Sequence, residues 1–354
     1  MHKITRRSFT AGAAALLAAG TVARAATDTP DTIRFGAFGA GFGQPYGVAT
    51  FGVAQAKDFI TNEFKDTPVK LEWTYLAGTG PAVNEGIANG RIDFAQYGAL
   101  PNVIGRANGL PTRVLLNYGP TTIFGAARKG LPIHSIKDLK GRKVTFQKGT
   151  VLHWAFLRAL QANGLTAKDL TVVDLKTADQ LAALAAGSVD ASIGSSSVLS
   201  LREKGIVDIF YTSKDIGPKA TGFGGILVTD QFREKYPDAT RRVVTGLLKA
   251  VAWIGDEANR DEALRIWSKS GTPYEALQEE FRGQSLKEAF NPLVDEFLLA
   301  QFQDVVDFSK SEKLIRSDID VKEWVLAAPI HEALANLKLE KFWTPRHADG
   351  SPKA

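Results

Sequence analysis

Three short segments rich in glycine, serine and threonine could bind an anion: Gly78-Thr79-Gly80, Lys148-Gly149-Thr150 and Ser195-Ser196-Ser197. Each segment follows a predicted strand and precedes a predicted helix, so it carries the unpaired backbone N–H groups of a helix N-terminus. Those groups and the positive end of the helix dipole attract an anion without a buried fixed charge. Any one segment alone could be an ordinary helix cap, but three of them at strand ends predict one anion-binding site.

Other residues near the ends of predicted strands are candidates for the same site. Tyr97 and Gly98 follow the third strand, where the phenol could stack on a ligand or donate to it, or could instead close the edge of the core. Phe42 and Gln44 lie in the glycine-rich turn after the first strand, as one wall of a cleft or as a loop filler. Phe223 could cover an organic ligand or pack at a hinge.

His153 and Lys148 are the candidates that carry a basic side chain. His153 lies three residues after Thr150, so both can face the same side of one helix. A packed or capping histidine is the alternative. Lys148 could pair with an anion, although a lysine in a loop is normally solvated.

No pattern for catalysis or cofactor binding accompanies these segments. The turn at residues 39–44 lacks the third glycine of a dinucleotide-binding motif, and the chain has neither a Gly-x-Ser-x-Gly elbow nor a Walker loop. The histidines are too scattered for a zinc site, and the chain has no cysteine. We therefore expect a binding protein that uses no cofactor and no metal, and not an enzyme.

The elements that must position these residues alternate between strand and helix, which predicts an α/β fold with parallel sheets. A first series of predicted strands ends near residue 117, and a second series occupies residues 123–211. One more strand is predicted at 225–228. After it the pattern is almost entirely helical, with predicted helices at 239–258, 260–269, 293–308 and 330–337.

This order predicts two α/β lobes with a ligand cleft between them and a helical C-terminal tail. The first lobe combines residues 30–122 with 224–354, and the second is an inserted lobe at 123–223. Two crossings, near 121–128 and 214–224, would join the lobes and act as a hinge. Ligands of open α/β sheets bind outside the carboxyl ends of the strands, so the facing lobes should hold the solute.

Five longer segments resemble those of a known protein family. In chain order they are Ala77-Gly78-Thr79-Gly80-Pro81, Gly90-Arg91-Ile92-Asp93-Phe94, residues 133–144, residues 148–153 and Gly187-Ser188-Val189-Asp190-Ala191. In this order and spacing the chain resembles the nitrate/sulfonate/taurine-type solute-binding proteins of ABC transporters. The resemblance implies the type II periplasmic binding protein architecture. It also implies capture of a small anionic organic solute and its delivery to an inner-membrane permease with its ATPase.

The resemblance favours a sulfonate as the ligand but leaves other ligands open. Aliphatic sulfonate binders often carry an aromatic-Asp-Pro segment after the strand of lobe two, where this chain has Gly194-Ser195-Ser196-Ser197. An aromatic carboxylate, a nitrate-like anion or a pyrimidine are the alternatives, and a periplasmic sensor is an alternative role. An enzyme of the pyrimidine-synthase type is disfavoured, because the N-terminus resembles an export signal, as described below, and the chain has no cysteine.

The N-terminus resembles a twin-arginine signal peptide over residues 1–26, with Arg6-Arg7, a 13-residue apolar run and a small-residue exit at Ala23-Arg24-Ala25. The run is shorter than the roughly 20 residues of a membrane span, and no cysteine exists for a lipid anchor. We therefore expect a soluble periplasmic protein, as a monomer. The signal holds four of the 43 basic residues, which leaves 39 against 38 acidic ones. That balance predicts no nucleic-acid binding.

Overall fold

The computed structural model describes residues 29–39, 47–76, 79–216 and 221–353, and the strands of this part form two five-stranded sheets. The predicted signal peptide lies outside the described residues. The order of the first sheet is β2-β1-β3-β10-β4, and that of the second is β7-β6-β8-β5-β9. The strands are β1 (Thr32–Phe38), β2 (Lys70–Leu76), β3 (Phe94–Gly98), β4 (Thr112–Thr121), β5 (Phe124–Arg128), β6 (Lys143–Phe146), β7 (Thr171–Asp174), β8 (Ala191–Gly194), β9 (Val207–Thr212) and β10 (Gly222–Thr229).

Helices cover both sheets and form the C-terminal tail. Among the described helices, none is both long and apolar enough to cross a membrane. In chain order they are α1 (Ala49–Ala56), α2 (Thr79–Ala88), α3 (Ala99–Ala107), α4 (Val151–Ala162), α5 (Thr177–Ala185), α6 (Leu199–Glu203), α7 (Asp230–Lys235), α8 (Pro237–Gly255), α9 (Arg260–Ser268), α10 (Tyr274–Glu280), α11 (Leu286–Ala289), α12 (Glu296–Ser311), α13 (Val321–Trp324) and α14 (Ala328–Leu337).

The α/β fold with two lobes is confirmed, but both sheets are mixed rather than parallel. β1 runs parallel to β2 and β3, and β6 runs parallel to β7 and β8. β10 is antiparallel to β3 and β4, and β5 is antiparallel to β8 and β9. The chain enters β5 and β10 directly as it crosses from one sheet to the other, with no helix in between. A strand can run parallel to the one before it only after a longer crossover connection, which is usually a helix.

The apolar periodicity of residues 46–64 predicts one continuous helix, which the structure divides. α1 ends at Ala56, and a short 3-10 turn at Thr61–Phe64 follows. Asp58 lies between them in the left-handed region, with φ of 55°, which interrupts a right-handed helix. The apolar periodicity across this stretch is real because both pieces pack on the same core, through Phe51 and Phe64.

The apolar core has three parts, and one of them belongs to both lobes. The core of the first lobe packs α8, α9 and α14 against the first sheet, whereas the second lobe has a much smaller core of its own. A third cluster joins α2 and α3 of the first lobe to α4 of the second and to α12 of the tail. Rings of Trp154, Phe223, Phe302 and Trp324 contact one another in series through this cluster. The lobes are therefore linked by packing as well as by the crossing strands.

Candidate functional site

A cavity of about 160 Å³ lies between the two lobes, at the ends of strands from both sheets. Of the described helices, five begin in its wall: α1 at Ala49, α2 at Thr79, α3 after Gly98, α4 after Thr150 and α5 at Thr177. Each helix start presents backbone N–H groups and the positive end of a dipole. The cavity is therefore surrounded by partial positive charge.

The hydroxyl groups at these helix starts do not act as ordinary caps. Thr150 and Ser195 occupy N-cap positions, but neither side chain accepts a hydrogen bond from a backbone N–H of the helix or turn that follows. The Thr150 hydroxyl donates to the carbonyl oxygen of Gln147 at 2.8 Å, and the hydroxyls of Ser195 and Ser197 lie 3.2 Å apart. Backbone donors that a cap would satisfy are thus left for a ligand.

Thr79 combines two features of a binding position. Its Oγ1 is buried without a hydrogen-bond partner among the described residues. Buried hydroxyl groups in folded proteins normally have such a partner. Its backbone is left-handed, with φ of 57°, as is that of Ala49 at the start of α1, with φ of 56°. Backbone strain in residues other than glycine concentrates at functional sites, and here both residues lie in the cavity wall.

Glycines allow the close approaches that form the cavity. A Cβ atom on Gly80 would lie 2.2 Å from Cγ of Pro101, which leaves no room for a side chain between α2 and α3. A Cβ atom on Gly98 would lie 2.9 Å from Cβ of Val151. Gly98 belongs to the first lobe and Val151 to the second, so this pair is a direct contact between the lobes.

Six predicted site residues lie in the cavity wall: Thr79, Gly80, Gly98, Thr150, Ser195 and Ser196. They come from four separate strand ends, which only the folding of two sheets brings together. Three others, Phe42, Gln44 and Gly78, lie outside the described residues.

Tyr97 and Phe223 do not line the cavity but belong to the apolar core. Tyr97 is fully buried on β3, and burial raises the pKa of its phenol. Alternation along β3 turns the side chain of Tyr97 away from the side on which Gly98 meets the cavity. Phe223 packs between Trp154 and Phe302, with ring centroids 6.0 Å and 5.1 Å away. For both residues the structure favours the core alternative.

Lys148 and His153 also lie outside the wall. Lys148 is exposed, and its backbone N–H donates to Asp174 at 2.9 Å. His153 is on the face of α4 that packs on β6, where its ring stacks on Phe146 at 5.4 Å. Its Nδ1 accepts from the N–H of Gly149 at 3.3 Å. Burial, assisted by the charge of Lys148, lowers the pKa of His153 to about 4, so the ring is neutral at pH 7.

Sequence reasoning missed the wall that the C-terminal tail contributes. Trp267, Phe281 and Phe290 form an aromatic side of the cavity, and the indole N–H of Trp267 donates to the carbonyl oxygen of Ala49 at 3.0 Å. Glu280, the last residue of α10, adds a carboxylate that is only 7% exposed. In the sequence Glu280 follows Glu279 in a polar stretch. Such a stretch is typical of a solvent-exposed helix face, so no sequence pattern identifies Glu280 as a residue of the cavity wall.

Two donors hold the Glu280 carboxylate. The Ser196 hydroxyl donates to Oε2 at 2.6 Å, and the N–H of Thr122 donates to Oε1 at 3.2 Å. Burial raises the pKa of Glu280, against the lowering effect of these two hydrogen bonds. In the described part of the chain, no three His, Asp or Glu side chains come together as a metal site would require.

The two sheets and the cavity between them have the two-lobed type II periplasmic binding protein architecture. Within that class, the chain belongs to the NMT1/THI5-like family, whose sequence model matches residues 46–259.

Relatives of the chain include proteins named for sulfonates. A protein of Bacillus subtilis (strain 168), provisionally named an aliphatic sulfonates-binding protein, is 28% identical over 287 residues, which cover 80% of this chain and 84% of the relative. A crystal structure from Methylobacillus flagellatus KT, provisionally titled a sulfonate ABC transporter, periplasmic sulfonate-binding protein SsuA, has a TM-score of 0.76 and 28% identity. It covers 90% of this chain and 99% of that one.

An enzyme shares the same fold. The desulfurization enzyme DSZB has a TM-score of 0.66 and 16% identity, over 87% of this chain and 100% of that one. At this identity the likeness concerns the fold alone. The architecture is thus compatible with both binding proteins and enzymes, and the site must distinguish them.

Proposed function

We propose that this protein is the solute-binding component of an ABC importer and that it holds a small organic anion, a sulfonate, between its lobes. The observation that carries the proposal is the convergence of five helix starts on one cavity, with uncapped hydroxyl groups at two strand ends. Neither a lysine nor an arginine belongs to the described wall, so the donors are backbone N–H groups and hydroxyls. Such donors match the several oxygens of a sulfonate.

The site supports binding over catalysis. The nucleophile of a hydrolytic enzyme needs an adjacent base that a third group orients. In the described wall only Ser196 contacts a carboxylate, and it donates to Glu280, which also accepts from the backbone of Thr122. No described histidine lines the cavity. We therefore propose that the solute leaves the cleft chemically unchanged.

Titration calorimetry with a series of alkanesulfonates tests this function. The uncharged control is the alkanesulfonamide of the same chain length. One sulfonate should bind per chain, and the amide should not bind. Mass spectrometry of the released ligand should return it intact. Equal binding of sulfonate and amide would contradict an anion site, and consumption of the sulfonate by purified protein would make this an enzyme.

The remaining parts of the proposal concern location and partners. We propose that residues 1–26 direct export by the twin-arginine route and that the mature chain is a periplasmic monomer that delivers solute to a permease. We also propose that residues 30–122 and 224–354 form the first lobe, that residues 123–223 form the second, and that the lobes close on the solute by a hinge at the two crossings. Measurement of sulfonate uptake by cells that lack the protein distinguishes an importer component from a sensor. Deletion should abolish uptake if the protein is part of the importer.

Export has its own test in the paired arginines. Arg6→Lys combined with Arg7→Lys keeps the positive charge but removes the guanidinium groups that a twin-arginine receptor reads. We expect uncleaved precursor to accumulate in the cytoplasm. Lys3→Arg is the matched control and should leave export unchanged. Normal periplasmic accumulation of the double variant would assign the protein to the general secretion route.

A further inference from the structure

The short helix α10 is fixed to the first lobe at both of its ends. Leu277 and the following Phe281 belong to the apolar core of that lobe. The hydroxyl of Tyr274 donates to the carboxylate of Asp261 on α9. The guanidinium of Arg260, also on α9, donates to the carbonyl oxygen of Phe281 at 3.2 Å. We therefore expect α10 to move with the first lobe as one body.

The same helix contacts the second lobe through polar groups. The guanidinium of Arg202, on α6, donates two hydrogen bonds to the Glu279 carboxylate, both at 2.7 Å. A hydrogen bond of 2.6 Å joins the Ser196 hydroxyl to the Glu280 carboxyl group. The ammonium of Lys214, at the second crossing, donates to the carbonyl oxygen of Glu279 at 2.9 Å. Because the partners belong to different lobes, these hydrogen bonds must break if the lobes separate on this side.

A second contact between the lobes, around α4, is apolar. Trp154 of α4 packs on Phe223, which packs on Phe302 of α12. Separation of apolar surfaces exposes them to water, which is unfavourable and which no solvent contact offsets. Water can instead replace a hydrogen-bond donor or the partner of a partly exposed ion. Of these two contacts, the one at α10 is therefore the one that can break and form again readily.

The ion pair of Arg202 with Glu279 has the surroundings that a reversible contact requires. The two side chains are 34% and 30% exposed, so water reaches both of them. Arg202 also donates to Glu203, on its own helix, at 2.7 Å, and it keeps this partner when Glu279 moves away. Neither charge is then buried without a partner, which is the situation that makes the breaking of a buried ion pair strongly unfavourable.

We propose that the ion pair of Arg202 with Glu279 is a latch between the lobes, which forms when the cleft closes and must break before the solute leaves. This inference rests on the proposed function, in which the lobes close on a solute. Leu277 and Glu280, on the same helix as Glu279, lie in the cavity wall. When the latch opens, this part of the wall separates from Ser196 and the cavity gains an exit. Arg202 is not a residue of the described wall, so it acts on the solute through the position of α10.

Stopped-flow fluorescence of the mature chain with butane-1-sulfonate tests the latch, with Trp267 of the cavity wall as the reporter of occupancy. Arg202→Gln should release the ligand about 3 to 10-fold faster than the wild type, because a hydrogen-bonded ion pair of the closed state is lost. The association rate should change by less than about 2-fold, since the latch forms after the solute has entered. Unchanged release from this variant would overturn the latch and leave the binding function intact. Failure of the wild type to bind butane-1-sulfonate would overturn the proposed function, and the latch with it.

A double-mutant cycle assigns the effect to the ion pair itself. Glu279→Gln should release the ligand as fast as Arg202→Gln, and the combined variant no faster than either, because all three lack the same interaction. Arg233→Gln is the matched control, since Arg233 also pairs with two carboxylates, those of Asp230 and Glu234, but within the first lobe. It should release the ligand at the wild-type rate. Multiplied effects in the combined variant, or equally fast release from Arg233→Gln, would overturn the latch. Thermal melting and the binding stoichiometry check that each variant is folded.

Discussion

The two lobes have the same order of strands but contribute different chemistry to the cavity. In each sheet three parallel strands, in the order β2-β1-β3 or β7-β6-β8, are extended by an antiparallel strand, β10 or β5. The second lobe supplies mostly polar side chains, among them Thr150, Thr177 and Ser195. The first lobe supplies aromatic rings, such as those of Trp267 and Phe290, together with Glu280. The helix starts of both lobes, with their hydroxyl groups, form the donor face of the cavity, and the aromatic rings form its apolar face.

The lobes also differ in how their cores are completed. The first lobe has a large core of its own, in which α8 is buried along much of its length. The small core of the second lobe includes Ala276 from α10, a helix of the tail. α10 is tied to the second lobe by Arg202 and Ser196. The difference indicates that the second lobe depends on the first for stability, which the following experiments test.

Removal of the Trp154 side chain should have the largest effect. Trp154 is 2% exposed in the cluster that both lobes share, and Trp154→Ala should lower the free energy of unfolding by about 3–5 kcal/mol. Urea denaturation should show both lobes unfolding in one transition at lower urea. Trp253→Ala, at a partly buried position on α8, is the control with a smaller loss. Separate unfolding transitions for the two lobes would contradict the inference that the second lobe depends on the first for its stability.

The neutral His153 should make the second lobe sensitive to acid. Its pKa is lowered to about 4 in the fold, whereas an unfolded histidine titrates near 6.5. The native state therefore binds fewer protons between those values, and stability is lost as the pH falls from about 6.5 towards 4. The loss should reach about 3 kcal/mol at pH 4, since one pKa unit is about 1.4 kcal/mol.

The variant His153→Asn removes this titration but keeps an acceptor for the N–H of Gly149. The difference in unfolding free energy between the variant and the wild type should change in favour of the variant as the pH is lowered to 4. Above pH 7 the difference should stay constant. A difference that does not change with pH would place a charged or solvated histidine at this position.

Loss of one hydroxyl from each lobe should weaken ligand binding by a smaller amount. Thr79→Ala in the first lobe and Ser195→Ala in the second should each reduce affinity about 10 to 100-fold, because a hydrogen bond to a charged group contributes about 1.5–3 kcal/mol. Thr79→Ser retains the hydroxyl and is the matched control. Wild-type affinity in one of the two alanine variants, measured by calorimetry, would assign anion binding to the other lobe alone.

The smallest effect is expected from the ion pair that joins α4 to the tail. Arg158 lies 3.2 Å from Asp304, and both side chains are more than a third exposed. Water screens such a pair, so Arg158→Met should change the unfolding free energy by less than about 1 kcal/mol. Ligand-induced closure, measured as a fall in radius of gyration by small-angle scattering, should persist. Loss of closure would identify this contact as part of the hinge.

Local patterns predicted most of the elements and the donor face of the site. The predicted strand at 225–228 and the predicted helices at 239–258, 260–269, 293–308 and 330–337 correspond to β10, α8, α9, α12 and α14, because their apolar patterns are encoded within short stretches of sequence. The antiparallel direction of β5 and β10 was not predictable in this way. Strand direction depends on how the chain crosses between the sheets, which is a property of the whole fold.

Two candidate residues lie outside the cavity wall for the same physical reason. Tyr97 and His153 are each next to a wall residue in the sequence, and only the face of the strand or helix decides whether they meet the cavity or the core. A shift of one residue along a strand reverses that face. Proximity in sequence to a strand end therefore predicts backbone donors better than it predicts side-chain contacts.

The sequence by itself determined the α/β class, the two-lobed order and the helix N-termini of the donor face, because each depends on neighbouring residues. Only the tertiary structure decided that α10 returns to the cleft and brings Glu280 to Ser196, which is 84 residues away in the chain. Such a contact depends on how the helical tail packs over both lobes. The position of this carboxyl group in the cavity wall is therefore set by long-range packing.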